Sequence, residues 1–145
     1  MGRLRSVVAG ARLAGMSTMS AGVAAEFVKA LAERDLVGAA ALLHPEVNFR
    51  AMTPNRVWEA ATPTEVEAVL REWFADPAEE VERIDATETV SIADITRVGW
   101  RVCIGDAGGP AVFEQQAYTR ERDGQIDWMR VICSGWRPRT DPPSA

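Results

Sequence analysis

Beside 21 carboxylates, this chain of 145 residues has one histidine and two cysteines, and these three are widely spaced. The single histidine, His44, stands before Pro45 at what reads as a helix end, where its ring would meet exposed carbonyls. Glu114 would serve as a general base if buried, but on a sheet surface it would pair with Arg130 or Arg101. His44 and Glu114 are thus the catalytic candidates. A nucleophilic Cys133 would need a neighbouring base or cation, and the sequence supplies no evident partner. Tyr118 reads as a sheet-surface residue and Asp85 as a solvated charge.

Cys103 and Cys133 form no CxxC or Cys/His cluster, so no metal site is expected. They are read as buried free thiols in a reducing cytoplasm, since unpaired cysteine packs as a small hydrophobe. P-loop, GxGxxG, GxSxG and HExxH patterns are absent, which leaves nucleotide, serine-hydrolase and metalloprotease readings without support, and no cofactor is expected. The net charge of −5 disfavours an electrostatic grip on nucleic acid or anionic membrane. The Arg137-Pro138-Arg139 pair is too small to form a nucleic-acid patch. No stretch approaches the roughly 20 apolar residues of a membrane span.

The elements that must position these groups can be read along the chain. Residues 1–19 contain Arg3, Arg5 and Arg12 and no acid. Arg12 interrupts the apolar run that a signal peptide needs, so this stretch is read as a disordered extension or the product of an upstream start. From Ser20, a candidate N-cap, Val23, Phe27 and Leu31 with Ala24 and Val28 form a helical apolar stripe ending near Glu33. Asp35 would cap a short helix over Leu36–Leu43, broken by His44-Pro45. Val47 to Met52 alternates like a strand and stops at Thr53-Pro54, whereas Asn55 to Ala61 is ambiguous, with Trp58 its only large anchor.

Thr62-Pro63-Thr64-Glu65 combines an N-cap, a proline at the first helical position and a capping-box glutamate. Val66, Val69, Leu70, Trp73 and Phe74 then fall on one helical face. Strand-like runs follow at Val81–Ile92, Thr96–Ile104, Ala111–Arg122 and Gln125–Trp136. The organisation is one domain over residues 20–137 and a polar, proline-rich flexible tail over 138–145.

Helix, short helix, strand, helix and a long antiparallel meander is an order that resembles the NTF2-like superfamily, particularly its SnoaL-like (polyketide cyclase and ketosteroid isomerase-like) branch. The resemblance rests on Glu33-Arg34-Asp35-Leu36 through Leu42-Leu43-His44-Pro45-Glu46-Val47, on Glu65 to Phe74, and on Phe113 to Arg130 around Asp123-Gly124-Gln125-Ile126. It implies an α+β cone in which a curved antiparallel sheet and about three N-terminal helices surround a central pocket. Such folds host isomerases, cyclases, epoxide hydrolases and non-enzymatic binding or dimerisation modules, so the resemblance leaves function open. Limonene-type epoxide hydrolysis is disfavoured: Arg97 matches that branch's Arg-x-Asp stretch, but Gly99 stands where its aspartate belongs. No carboxylate falls in Trp128-Met129-Arg130-Val131 either.

Which side chains face the implied pocket turns on Asp123-Gly124. A two-residue turn would pair Glu114 with Cys133 and put Gln116, Tyr118 and Met129 on one face. A bulged turn would slip the pairing by one, so that Phe113, Gln115, Met129, Val131 and Cys133 share a face. The bulged form is preferred, because Arg-Asp-Gly-Gln followed by Ile resembles the family's usual hairpin. The implied lining is then Phe49, Ala51, Trp73, Phe113, Gln115, Met129, Val131 and Cys133, with Arg97 and Arg101 as candidate polar members.

That lining suits an apolar or aromatic molecule with an anionic or carbonyl end. Plain core filling is the competing reading. The expected activity is binding of a small hydrophobic molecule, the alternatives being acid–base isomerisation or cyclisation of a hydrophobic carbonyl compound, or a dimerisation or partner-binding module. Trp128, Ile132 and Trp100 on the outer sheet face suggest a homodimer.

Overall fold

The computed structural model describes residues 16–76, 80–106 and 109–139. The expectations for residues 1–15 and 140–145 lie outside the described residues.

Helix α1 (Met16–Ala32) breaks at Gly22, whose φ of 63° and ψ of −169° no helix accommodates. Beyond that break Val23, Ala24, Phe27, Val28 and Leu31 are buried, as a 3.6-residue stripe requires. The chain reverses through Arg34, which takes a left-handed φ of 61°. Asp35 then caps α2 (Leu36–Ala41), its carboxylate accepting from the Gly38 N–H at 2.8 Å.

Strand β1 (Leu43–Thr53) starts earlier than expected and includes His44-Pro45. Proline is tolerated there because the ladder is interrupted: pairing jumps from Leu43 opposite Ile126 to Asn48 opposite Trp128. The ambiguous segment is strand β2 (Arg56–Ala60), joined to β1 by a tight turn in which Asn55 takes a φ of 69°. Helix α3 (Pro63–Phe74) begins as its capping signal predicts, with Thr62 Oγ1 accepting from the Glu65 N–H at 3.1 Å. The Glu65 carboxylate reaches back one residue further than usual, to the Ala61 N–H at 2.8 Å. Val66, Val69, Leu70, Trp73 and Phe74 are buried on one side of the helix.

Four longer strands and a short one complete the fold: β3 (Val81–Ile92), β4 (Ile95–Asp106), β5 (Gly109–Arg122), β6 (Gln125–Cys133) and β7 (Arg137–Pro138). The seven strands form one curved, unclosed sheet in the order β2-β1-β6-β5-β4-β3, with β7 beside β5. The α+β architecture is the expected one, but the sheet is mixed, because β1 runs parallel to β6. Helix α1 packs on the concave side, setting Phe27 against Trp100 with ring centroids 6.4 Å apart. No helix among the described residues is long and apolar enough to cross a membrane.

Candidate functional site

The β5–β6 hairpin combines both sequence readings. Arg122 pairs with Gln125 across a two-residue turn, and Asp123 and Gly124 have φ of 56° and 79°, the signature of a type I′ turn. One pair further on, Glu121 stands opposite Ile126, but Arg120 stands opposite Trp128. Asp127 is therefore a bulge residue, and the extra position shifts the phase of everything after it. Its carboxylate, largely buried, lies 3.3 Å from Arg120 Nε and 3.6 Å from Arg122 Nε. Beyond the bulge Gln115 pairs with Cys133 and Ala117 with Val131, which puts Phe113, Gln115, Met129, Val131 and Cys133 on the inner face.

A second irregularity follows at the end of β6. Gln115 opposes Cys133 and Val112 opposes Arg137, so one more residue is used on the β6–β7 side than on β5. Gly135 absorbs the extra residue with a φ of 82°. The chain then brings Trp136 over Phe113, the rings stacked 6.2 Å apart at 12°.

These features border a cavity of about 270 Å³ at the mouth of the cone, between the β1–β2 turn, the last turn of α3 and the ends of β5 and β6. Its walls are Trp58, Trp73, Phe113 and Trp136, with Thr53, Pro54, Glu72, Gln115 and Cys133 between them. Trp58 and Trp73 meet edge to face at 5.8 Å, and Trp58 Nε1 donates to Thr53 Oγ1 at 2.8 Å. Gln115 is almost fully buried, and its Oε1 accepts from Trp100 Nε1 at 2.9 Å. Cys133 Sγ accepts from the Gly135 N–H at 3.4 Å. Trp73 Nε1 is enclosed and has no hydrogen-bond partner among the described residues.

Of the sequence-predicted lining, Trp73, Phe113, Gln115 and Cys133 border this cavity. Phe49, Ala51, Met129 and Val131 lie deeper, each at most 2% exposed, in a filled hydrophobic core. Arg97 and Arg101 are elsewhere. Val98, Trp100, Val102 and Ile104 take the inner face of β4, so period-2 alternation sends the two arginines to the outer face. There Arg97 pairs with Glu88, whose hydrogen bond raises the guanidinium pKa, and Arg101 pairs with Glu114. Glu114 is thus an outer-face carboxylate whose backbone N–H donates to Ser134 Oγ at 2.9 Å.

His44 is at the start of β1, where Nδ1 accepts from the Glu46 N–H at 3.0 Å. Arg122 joins it there, holding the Glu46 carboxyl below the ordinary glutamate range through a 2.7 Å hydrogen bond. Trp100, expected outside, is 1% exposed inside the cone. Cys103 and Cys133 are both free. They belong to opposite faces of the sheet, Cys103 lying 3.5 Å from Arg83 Nη2.

Sequence reasoning did not place Trp58, Trp136, Thr53, Pro54 or Glu72 at a site. Gly135 beside Trp136 was the available signal, a glycine free to turn a large ring out of the strand's alternation.

The arrangement of helices against a curved sheet is shared with solved structures. An NTF2-like protein of unknown function from Burkholderia pseudomallei superimposes with a TM-score of 0.60 at 20% identity, covering 75% of this chain and 86% of that one. The fold is NTF2-like. A putative SnoaL-like polyketide cyclase from Mesorhizobium loti gives a TM-score of 0.58 at 15% identity, with 75% and 94% of the two chains covered. A hypothetical protein of ketosteroid isomerase-like fold from Catenulispora acidiphila, in complex with trimethylamine, gives 0.60 at 11% identity over 75% and 82%. No family model matches the sequence, and no curated protein is detectably similar to it. Within this NTF2-like frame the inner end of the cone is filled by side chains, and the aromatic cavity is at the mouth. Two larger clefts lie elsewhere, one of about 650 Å³ along β1, β2 and the start of α3, bordered by Phe49, Arg50, Glu59 and Glu65, and one of about 620 Å³ bordered by Arg83, Asp85, Arg101, Glu114 and Arg137.

Proposed function

We propose that the protein binds a small apolar or aromatic molecule in the mouth cavity without transforming it. The observation that carries this reading is an aromatic cavity whose titratable lining is limited to Glu72 and Cys133. Glu114 and His44, the two groups that sequence offered as bases, lie outside it. Isomerase and cyclase chemistry needs a base facing the substrate. The Glu72 side chain is 61% exposed and sits 3.9 Å from Arg56, so water and a cation both compete for its carboxylate. Cys133 has no imidazole or guanidinium among its hydrogen-bond partners here.

Size narrows the ligand. An apolar cavity of about 150 Å³ accepts benzene, so about 270 Å³ suits a substituted ring or a small bicycle. Native mass spectrometry of the purified protein for a co-purified ligand, followed by NMR titration with one- and two-ring aromatics, tests the reading. Saturable shifts at the Trp58, Trp73 and Trp136 indoles are expected. An empty protein with no saturable shift at those indoles overturns it.

We also infer self-association through the outer sheet face. Val57, Met52 and Ile132 are 56%, 52% and 53% exposed. They lie side by side on β2, β1 and β6, since Met52 pairs with both of the others. A contiguous apolar row of this kind favours a second apolar surface. A dimer mass in native mass spectrometry is expected, lost in Ile132→Glu with the circular dichroism spectrum unchanged. A monomeric wild type at high micromolar concentration refutes the inference.

A further inference from the structure

We propose that Trp100, which does not border the cavity, sets the cavity's hydrogen-bonding polarity through Gln115. The ligand would then be a neutral ring bearing a hydrogen-bond acceptor such as a carbonyl oxygen. This rests on the binding reading above and specifies its chemistry.

Indole N–H can only donate, so the Gln115 atom facing Trp100 Nε1 at 2.9 Å must be the carbonyl oxygen. The amide orientation is therefore decided by chemistry. Its Nε2 has no hydrogen-bond partner among the described residues, although Gln115 is 2% exposed and borders the cavity. Nor is Nε2 among the fully enclosed orphan atoms, so it borders open space, and the open space beside Gln115 is the cavity.

Apart from the Glu72 carboxylate, which is 61% exposed and 3.9 Å from Arg56, the side-chain acceptors that border the cavity are already used. Thr53 Oγ1 takes the Trp58 N–H, Cys133 Sγ takes the Gly135 N–H, and Gln115 Oε1 takes Trp100. Among the neutral side chains there, the unengaged group that borders open space is a donor, the Gln115 amide; the indole N–H of Trp73 is also without a partner but is enclosed. A buried donor without a partner carries a desolvation cost that a ligand acceptor would relieve.

Charge decides between the two acceptor types that sequence left open. An anionic end would need a cation, and none lines the cavity. Arg97 and Arg101 are on the other face of the sheet, paired with Glu88 and Glu114. Arg56 stacks on Trp58 at 3.5 Å and faces Glu72, so the rim adds a carboxylate as well as a guanidinium. A neutral carbonyl meets the Gln115 donor without stranding a charge.

The test compares three probes of one shape: acetophenone, α-methylstyrene (a methylene in place of the carbonyl oxygen) and benzoate. Affinities are read by NMR titration of the full chain, following the Gln115 side-chain amide and the Trp73 indole signals. Acetophenone should bind and shift both signals, and benzoate should bind more weakly. Gln115→Met should lower the preference for acetophenone over α-methylstyrene about three- to tenfold, the worth of one neutral hydrogen bond.

Trp100→Phe frees the Gln115 amide to rotate and should also reduce that preference, while α-methylstyrene still binds. A merely structural role for Trp100 would weaken both probes equally. An unchanged preference in both variants, or tighter binding of benzoate, overturns the proposal. Failure of all three probes to bind wild type refutes the underlying binding reading instead.

Discussion

Replacing Gln115 by methionine and Trp100 by phenylalanine, singly and together, isolates the buried hydrogen bond that joins β4 to β5 inside the cone. Both residues are at most 2% exposed, and their side chains meet at 2.9 Å. Gln115→Met keeps the side-chain length but leaves the indole N–H without an acceptor, at a cost of about 1–3 kcal/mol. Burying a thioether in place of an amide works in the opposite direction, so the single variant is a poor measure of the bond. Trp100→Phe strands the Gln115 carbonyl and also opens a void beside Phe27.

The double variant removes both polar groups and has no orphan. It should therefore be more stable than the sum of the single losses by about 1 kcal/mol, within the roughly 0.5–1.5 kcal/mol net worth of a hydrogen bond. For a chain of this length about 1 kcal/mol corresponds to roughly 2–4 °C in Tm. Urea denaturation followed by circular dichroism gives all four free energies. Coupling within about 0.3 kcal/mol of zero would refute the reasoning, because independent sites add to that accuracy.

Three further outcomes follow from the same structure. Thr62→Ala should destabilise by about 1 kcal/mol in thermal melts, since it removes the acceptor for the Glu65 N–H; no loss would mean that the Pro63 start suffices. Phe27→Ala should cost about 3–5 kcal/mol in urea denaturation, because its ring is 1% exposed against Trp100 and holds α1 on the sheet. Arg122 holds the Glu46 carboxyl low in the folded state, so the pair's contribution is complete above the unfolded glutamate pKa and is lost as pH falls through the lower folded value. The stability difference between wild type and Glu46→Gln should accordingly shrink between about pH 6 and about pH 3, and equal differences at both pH values would contradict the assignment.

Much of the fold was legible because local chemistry and tertiary structure agree. The α3 start followed from Thr62, Pro63 and Glu65, and its buried face from five apolar positions at helical spacing. His44-Pro45 is a helix breaker by local chemistry, whereas the ladder gap on β1 accommodates the proline within a strand. The outward placement of Arg97 and Arg101 was in fact readable from the alternation Val98, Trp100, Val102, Ile104; the resemblance to a pocketed fold drew them inward.

Trp136 was not legible as a cavity wall. Its position depends on Gly135 adopting a positive φ where β6 and β7 meet β5 out of step.

By itself the sequence determined the type of most elements, α1, α3 and the four long closing strands among them, since these depend on nearest neighbours and side-chain periodicity; it left Arg56–Ala60 and the start of β1 open. It also carried the residues of the closing hairpin, but not their phase. That was decided in the tertiary structure, where a type I′ turn and a bulge at Asp127 coexist. A bulge needs a partner to be out of step with, and here the acidic bulge residue lies against Arg120 and Arg122 of the facing strand. One inserted position thereby turns Gln115 inward with Met129, Val131 and Cys133, and leaves Glu114 on the outside with Arg101.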